Sequence, residues 1–261
     1  ALDLGFFGGE ASQLEDSTQC RESFAQQALP ENFYKIESNG FNDEVTQEAI
    51  RAYFSHYKIH ADPFMAPLNF FSHPLNLRIF CEVTNPSAQK VVHVGHFPSS
   101  IYSLFNQLID HSSSNISSMT TLAVRYQPRD IDDAIYLIGS ALWSGGKRFA
   151  LEEVFRESYK VVTQTWESDI VNLLVQEGLI FRDEPSRGTY VLSPVYDRLG
   201  GYFIAYYLLE KRKLNDLVDW MQADEFLLKI FGDISDQHEL SQDILVALVA
   251  MAPKRGKGHV W

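Results

Sequence analysis

Residues 166–193 read WESDIVNLLVQEGLIFRDEPSRGTYVLS, and the change of period along this stretch decides the fold class. From Trp166 to Gln176 the apolar residues Ile170, Val171, Leu174 and Val175 recur at helical spacing, and Gly178 stops the run. Leu179–Asp183 and Thr189–Ser193 then read as strands, joined by the turn residues Glu184-Pro185-Ser186-Arg187-Gly188. Upstream, Ile131, Ala134, Ile135, Ile138, Ala141 and Leu142 mark a helix ended by Gly145-Gly146, and a short helix is expected around Leu151–Glu157. Three helices followed by a β-hairpin is the element order of a winged helix.

Working outward, the chain is mostly helical on both sides. After Pro194, the residues Tyr196, Leu199, Phe203, Ile204 and Tyr207 predict a long helix; Trp220–Phe231 and Leu240–Met251 predict two more, with a loop at Pro253-Lys254-Arg255-Gly256. Toward the N-terminus, Asn42 or Asp43 can cap a helix whose apolar face is Val45, Ala49, Ile50, Tyr53, Phe54 and Tyr57. Pro74 opens a second helix, about Leu75 to Val83, apolar on most sides and stopped by Asn85-Pro86. Ser87–Ser100 reads as loop, Ile101–Ile109 as a third helix, and the Ser/Asn-rich run His111–Ser118 as a linker. Before residue 40 only Phe33-Tyr34-Lys35-Ile36 looks like a strand.

Composition narrows the classes. With 261 residues, 45% hydrophobic and 21% charged, the chain can bury a core and is not a disordered segment. A net charge of −12 argues against broad binding to nucleic acid or an anionic membrane, which needs clustered Lys and Arg. Two cysteines, Cys20 and Cys81, cannot make a disulfide framework and read as reduced thiols, so a cytoplasmic setting is expected. No apolar run is long enough to span a bilayer, and Ala1–Glu10 lacks the features of a signal peptide. A start without Met and an end soon after a turn sequence read as a piece of something longer.

Catalytic and binding constellations are sparse. Gly145-Gly146-Lys147-Arg148 lacks the spacing and hydroxyl of a P-loop and follows a helix, so it reads as a helix stop. His56/His60 are four apart and His93/His96 three apart; helical i,i+4 histidines can share a metal, but no nearby Cys, Asp or Glu other than Asp62 and Glu82 could complete a set, and no metal site is expected. No Gly-x-Ser-x-Gly elbow is present. Not one Lys or Arg lies between Trp166 and Ile180, where a DNA-reading helix would need them; Arg182 and Arg187 on the hairpin keep DNA binding in view as the alternative.

Several strings, taken in order, resemble the STAND class of signal-transducing NTPases, which includes NACHT proteins and the bacterial antiviral Avs type. Thr18-Gln19-Cys20-Arg21-Glu22-Ser23-Phe24 resembles the sensor 1 element, and Gly40-Phe41 with the helix after it resembles the exit from the NTPase core. His73-Pro74-Leu75-Asn76-Leu77-Arg78-Ile79-Phe80-Cys81-Glu82 resembles the helical-domain motif whose Pro packs on adenine. Val195-Tyr196-Asp197-Arg198-Leu199, continuing to Ala205, resembles the segment after the family's winged helix, with Tyr196 standing where animal relatives carry a nucleotide-contacting His. Ala250-Met251-Ala252-Pro253-Lys254 resembles the lead-in to a repeat-type sensor region. The P-loop and Walker B elements of that class are missing from these residues.

The resemblance implies a mainly α fold: residues 1–41 a C-terminal remnant of an α/β NTPase core, 42–125 a helical domain, 126–200 a winged-helix domain with a β-hairpin wing, and 201–261 a helical connector toward a sensor region. It implies a nucleotide-state-coupled regulatory segment of an ATPase in prokaryotic antiviral defence; the alternative is a winged-helix DNA-binding transcription regulator. Arg21, Pro74 and Tyr196 are the implied nucleotide contacts. ATP or ADP with Mg²⁺ is the implied cofactor of the parent protein, with no tight binding and no hydrolysis expected of this chain alone. The implied partners are the rest of the same protein and, on activation, further copies of it, with no membrane and no nucleic acid. Asp197-Arg198 is expected to be either a local surface pair or, if Arg198 is buried against another domain's carboxylate, an interdomain latch.

Overall fold

The computed structural model describes residues 40–62, 65–119, 124–160, 165–211 and 219–255, all within one compact unit. The fold is mainly helical with a few small sheets. Arg21, Cys20 and the strand expected at Phe33–Ile36 lie outside the described residues.

The N-terminal half starts with α1 (Asp43–His56), capped by Asn42, whose side chain accepts from Val45 N, as its sequence predicts. Strand β1 (Ile59–His60), helix α2 (Leu68–Phe71) and helix α3 (Pro74–Thr84) follow, with Pro74 at the helix start. Strand β2 (Val92–His93), inside the stretch expected to be all loop, pairs in parallel with β1.

Helix α4 spans Ile101–Ser118, so the expected linker at His111–Ser118 is instead its second half. The reason is positional. Ser112, Ser113 and Ile116 are buried along with Ile109, so the small serines let that side of the helix pack closely, while Ser114 Oγ satisfies itself on Asp110 O at 2.8 Å.

Helix α5 (Pro128–Gly145) ends at Gly146, whose left-handed φ of 69° closes the helix by donating to Leu142 O. Strand β3 (Ala150–Leu151), absent from the sequence reading, leads into α6 (Glu152–Ser158). A 3₁₀ turn (Trp166–Ser168), α7 (Ile170–Gln176), β4 (Ile180–Ser186) and β5 (Thr189–Pro194) complete this part. The sheet order is β3-β5-β4, both pairings antiparallel, with Ala150 opposite Leu192 and Arg182 also opposite Leu192 across the other edge.

Helix α8 (Asp197–Lys211) is the hub. Ten of its residues from Leu199 to Leu209 are buried, so it is apolar on nearly every side. It crosses α5 so closely that a Cβ on Gly139 would overlap the Phe203 carbonyl, and it meets α10 (Ser241–Arg255) where a Cβ on Gly201 would overlap the Asp243 backbone. Between these lies α9 (Asp224–Phe231). The helix expected over Trp220–Phe231 breaks at Gln222-Ala223, and α9 restarts there with Asp224 and Glu225 in its first turn, where the helix dipole favours carboxylates. The loop expected at Pro253–Gly256 is replaced, up to Arg255, by the last turn of α10. Among the described residues no helix is long and apolar enough to cross a membrane.

Candidate functional site

The starts of four helices lie within electrostatic reach of one residue, Arg198. Pro74 is the first residue of α3, and His73 before it is extended, with no side chain capping the helix and no acidic residue in its first turn. The chain arriving at Gly40-Phe41 abuts this point, with Phe41 N donating to Ser72 O at 2.8 Å. Tyr196 caps α8, its carbonyl accepting from Gly200 N at 3.0 Å. Burial pushes the Tyr196 hydroxyl above its usual pKa, with Arg78 lowering and Glu82 raising it, so the phenol lies within electrostatic reach of the α3 pair in which Arg78 Nε meets Glu82 at 2.8 Å.

Arg198, two residues on, links the corner electrostatically. Although His73 is a surface residue, partial burial of its ring and then the Arg198 charge hold its pKa below the ordinary histidine value. Tyr102, at the start of α4, is raised by burial and Asp243 and lowered by Arg198. Asp243, in the first turn of α10, is raised by burial and Asp197 and lowered by Arg198 and Arg148. Arg198 is therefore exposed but within Coulombic reach of α3, α4 and α10.

The expected site residues divide accordingly. Pro74 is exposed and Tyr196 half-buried, and their segments meet through α3. Arg21 lies outside the described residues. The latch reading of Arg198 is corrected: among the described residues it is exposed and makes no ion pair, and its neighbour Asp197 instead pairs with Arg148 at 3.5 Å. Lys147, in the string compared with a P-loop, pairs with Glu239 at 3.0 Å.

Chemically the corner suits an anion. A helix N-terminus presents unpaired amides and a partial positive charge. Helices α8 and α10 offset theirs with Asp197 and Asp243, and α4 offsets its own with the Ser100–Ser103 capping box. Only α3 of these four has neither an acidic residue nor a side-chain cap at its start; Pro74 brings no N–H there and Asn76 N donates to His73 O, so the attraction rests on the helix dipole and on the charge of Arg198, which acts on His73.

A second polar cluster lies beneath the hairpin and escaped the sequence reading. Glu152, with its side chain 7% exposed, accepts from Arg156 Nε at 2.6 Å and from Arg182 Nε at 2.5 Å. Arg156 also forks onto Asp169 at 2.9 and 3.0 Å, and Asp169 caps α7 through Val171 N. The Arg182 guanidinium stacks on Tyr190 at 3.5 Å and on Trp166 at 4.6 Å. Glu152, Arg156 and Tyr190 border a cleft of about 260 Å³ that is also lined by Leu151, Glu153, Gly188 and Thr189. Its charges are matched to one another, so the cluster fastens the hairpin to α6 and α7. Of its members, only Glu152 and Arg156, at i,i+4, carried a sequence signal.

His238 was also missed. It is 1% exposed, stacks on Trp143, and its Nε2 bonds Leu142 O while Nδ1 accepts from Leu240 N. The acceptor role of Nδ1 fixes the proton on Nε2, and burial lowers the pKa to about 4. Cys81 is buried and its thiol is pushed up to about 12 by burial and then Glu82, which disfavours the reactive thiolate. No protein-family model, curated protein or solved structure matches the chain.

Proposed function

We propose that this chain is the nucleotide-state-coupled regulatory segment of a STAND-class ATPase acting in prokaryotic antiviral defence. In this reading residues 126–200 are a winged-helix domain and residues 42–125 the helical domain. The observation that supports the reading is that Tyr196 lies within electrostatic reach of Arg78 and Glu82 on α3, the helix that Pro74 opens, with the α3 start carrying no side-chain cap and Arg198 acting on His73 beside it. Those two side chains were named from separate strings as contacts for one nucleotide. Pro74 would offer a rigid apolar face to adenine, Tyr196 a hydroxyl to phosphate, and Arg21 a forked cation. Mg²⁺ and the phosphate cradle would come from a P-loop element elsewhere in the same polypeptide, and the chain alone would bind nucleotide weakly and hydrolyse none.

Helix packing explains how nucleotide state could be transmitted. The α8 hub begins directly after Tyr196 and packs against both α5 and α10, so a change at its first turn would reach the winged helix and the C-terminal helices together. The alternative, DNA recognition, draws little support: α7 carries no Lys or Arg, and Arg182 is committed to Glu152.

The test uses the longest polypeptide that contains this chain. Arg21→Ala and Pro74→Ala should each weaken Mg-ADP binding and nucleotide-dependent activation while leaving the melting curve in place. Nucleotide binding undisturbed by both changes would refute the reading, as would a retarded band with duplex oligonucleotide at physiological salt.

A further inference from the structure

The fold regroups the histidines that stand in pairs along the sequence. Helix α1 ends at His56, so His60 leaves its i,i+4 neighbour and enters β1, where it lies directly opposite His93 of β2. The two imidazole centroids are 4.8 Å apart with ring planes at 63°, and both residues are exposed.

The backbone fixes this register. Val92 N donates to Lys58 O at 3.0 Å and Val94 N to His60 O at 2.9 Å. Buried Asn85 reaches across, its Nδ2 donating to Tyr57 O at 2.6 Å and to Lys90 O at 2.7 Å. Lys58, at a φ of 51°, turns the chain from α1 into β1 and donates through Nζ to Gln89 O at 3.2 Å. A slip of one residue would break these bonds together, so the two rings are held side by side by main-chain geometry.

We propose that His60 and His93 form a two-imidazole site for a borderline divalent transition-metal ion such as Ni²⁺, Cu²⁺ or Zn²⁺. Metal–imidazole bonds are about 2.0–2.1 Å and a ring nitrogen lies about 1.1 Å from its centroid, so two rings on one ion at about 90–110° have centroids about 4.5–5.2 Å apart. The 4.8 Å separation falls in that interval. The terminal torsion of His is broad, which lets each ring turn a lone pair toward a common point. Neutral nitrogen donors select these ions over Ca²⁺ and Mg²⁺, which take oxygen.

Among the described residues no third His, Cys, Asp or Glu completes a set, so water fills the remaining positions and the site exchanges readily. An ion here bridges β1 to β2. It therefore ties the turn after α1 to the segment after α3, across a sheet only two residue pairs long. Binding then adds to stability, because the unfolded chain does not hold the two rings together.

The experiment is calorimetric titration of the purified chain with nickel sulfate in a non-chelating buffer, at a pH where imidazole is neutral. One ion per chain is expected, with a melting temperature that rises with Ni²⁺. His60→Gln and His93→Gln should each lower affinity by about tenfold or more, because the second ring acts as an intramolecular ligand, whereas His56→Gln and His96→Gln should leave it within about twofold. Equal losses in all four variants, an affinity indifferent to His93→Gln, or no saturable binding would overturn the proposal. A measurement on the unsubstituted chain guards against misfolded variants. Substoichiometric Cu²⁺ should broaden the His60 and His93 imidazole NMR signals selectively, and broadening centred on other histidines would contradict the site.

Discussion

Residues 40–119 and residues 128–194 are similar in scale and are held together by different forces. The first region is built on rings. Phe54, Phe71, Phe80 and Phe97 pack with centroids 5.2–6.5 Å apart, and among its described residues the ion pair is Arg78–Glu82, which lies at the surface. The second region adds a charge network, Glu152–Arg156–Asp169 with Arg182, to its apolar core. The burial of apolar ring surface that drives this packing is nondirectional and insensitive to pH. A buried carboxylate shared by two arginines holds only in one geometry, and it fixes the hairpin against α6 and α7. The network uses up its own charge. The free positive end at α3, by contrast, belongs to the ring-packed region, and the candidate anion corner is there.

The largest effect should come from the rings. Phe71 is fully buried and touches Phe54, Phe80 and Phe97. Phe71→Ala should cost about 3–5 kcal/mol in urea unfolding, the usual loss for an aromatic cavity. A much smaller loss would mean that the first region is not governed by this cluster.

Next is Glu152. Removing it takes from Arg182 its carboxylate and leaves Arg156 with Asp169 alone, and Glu152→Ala should cost about 2–3 kcal/mol, less than a fully buried pair because both guanidiniums are partly solvated. Near-neutral denaturation curves for Glu152→Ala would show that the network is ornamental and that the two regions do not differ in the way described.

The third prediction concerns pH at His238, where α5 of the second region meets the C-terminal helices. Its folded pKa of about 4 lies below the ordinary value of 6.5, so the unfolded state binds the proton first on acidification. Stability is therefore constant for this group above pH 6.5 and falls as pH drops from 6.5 to about 4, by roughly 2–3 kcal/mol. His238→Gln should flatten that slope; an unchanged slope would assign the acid sensitivity to other groups.

Much of the fold was legible because its signals are local. Pro74 at a helix start, Gly146 and Gly178 at helix ends, and the alternation flanking Gly188 each act within a turn of the chain. The misses have physical causes. Strands β1, β2 and β3 are two residues each, shorter than any periodicity can register. The serines of α4 look like a linker until Ile109 and Ile116 are seen on the same buried side. At the candidate corner Pro74 and Tyr196 could be named singly, but their meeting with Arg198 and Asp243 depends on four helix starts brought together by tertiary packing. The same holds for His60 and His93, whose sequence neighbours pointed to other partners.

A smaller effect tests those α4 serines. Ser112 and Ser113 bury hydroxyls that have no hydrogen-bond partner in the structure. Ser112→Ala removes an unsatisfied group from a dry face and should stabilise the chain by up to about 1 kcal/mol, read as a higher melting temperature. Destabilisation would imply that the hydroxyl has a partner and that the face is wetter than described.

The most direct test of the anion corner is an NMR titration of the His73 imidazole in the longest polypeptide that contains this chain, with and without Mg-ADP. Arg198 helps hold the His73 pKa down, so a phosphate seated between Arg198 and the start of α3 should screen that charge and raise the His73 pKa. Arg198→Ala should raise it as well, leaving it still below the free histidine value because burial is the larger cause, and should abolish the response to ADP. The account predicts an ADP-dependent rise in the His73 pKa that disappears in Arg198→Ala. A His73 titration unmoved by millimolar ADP, or moved equally in both proteins, would contradict it.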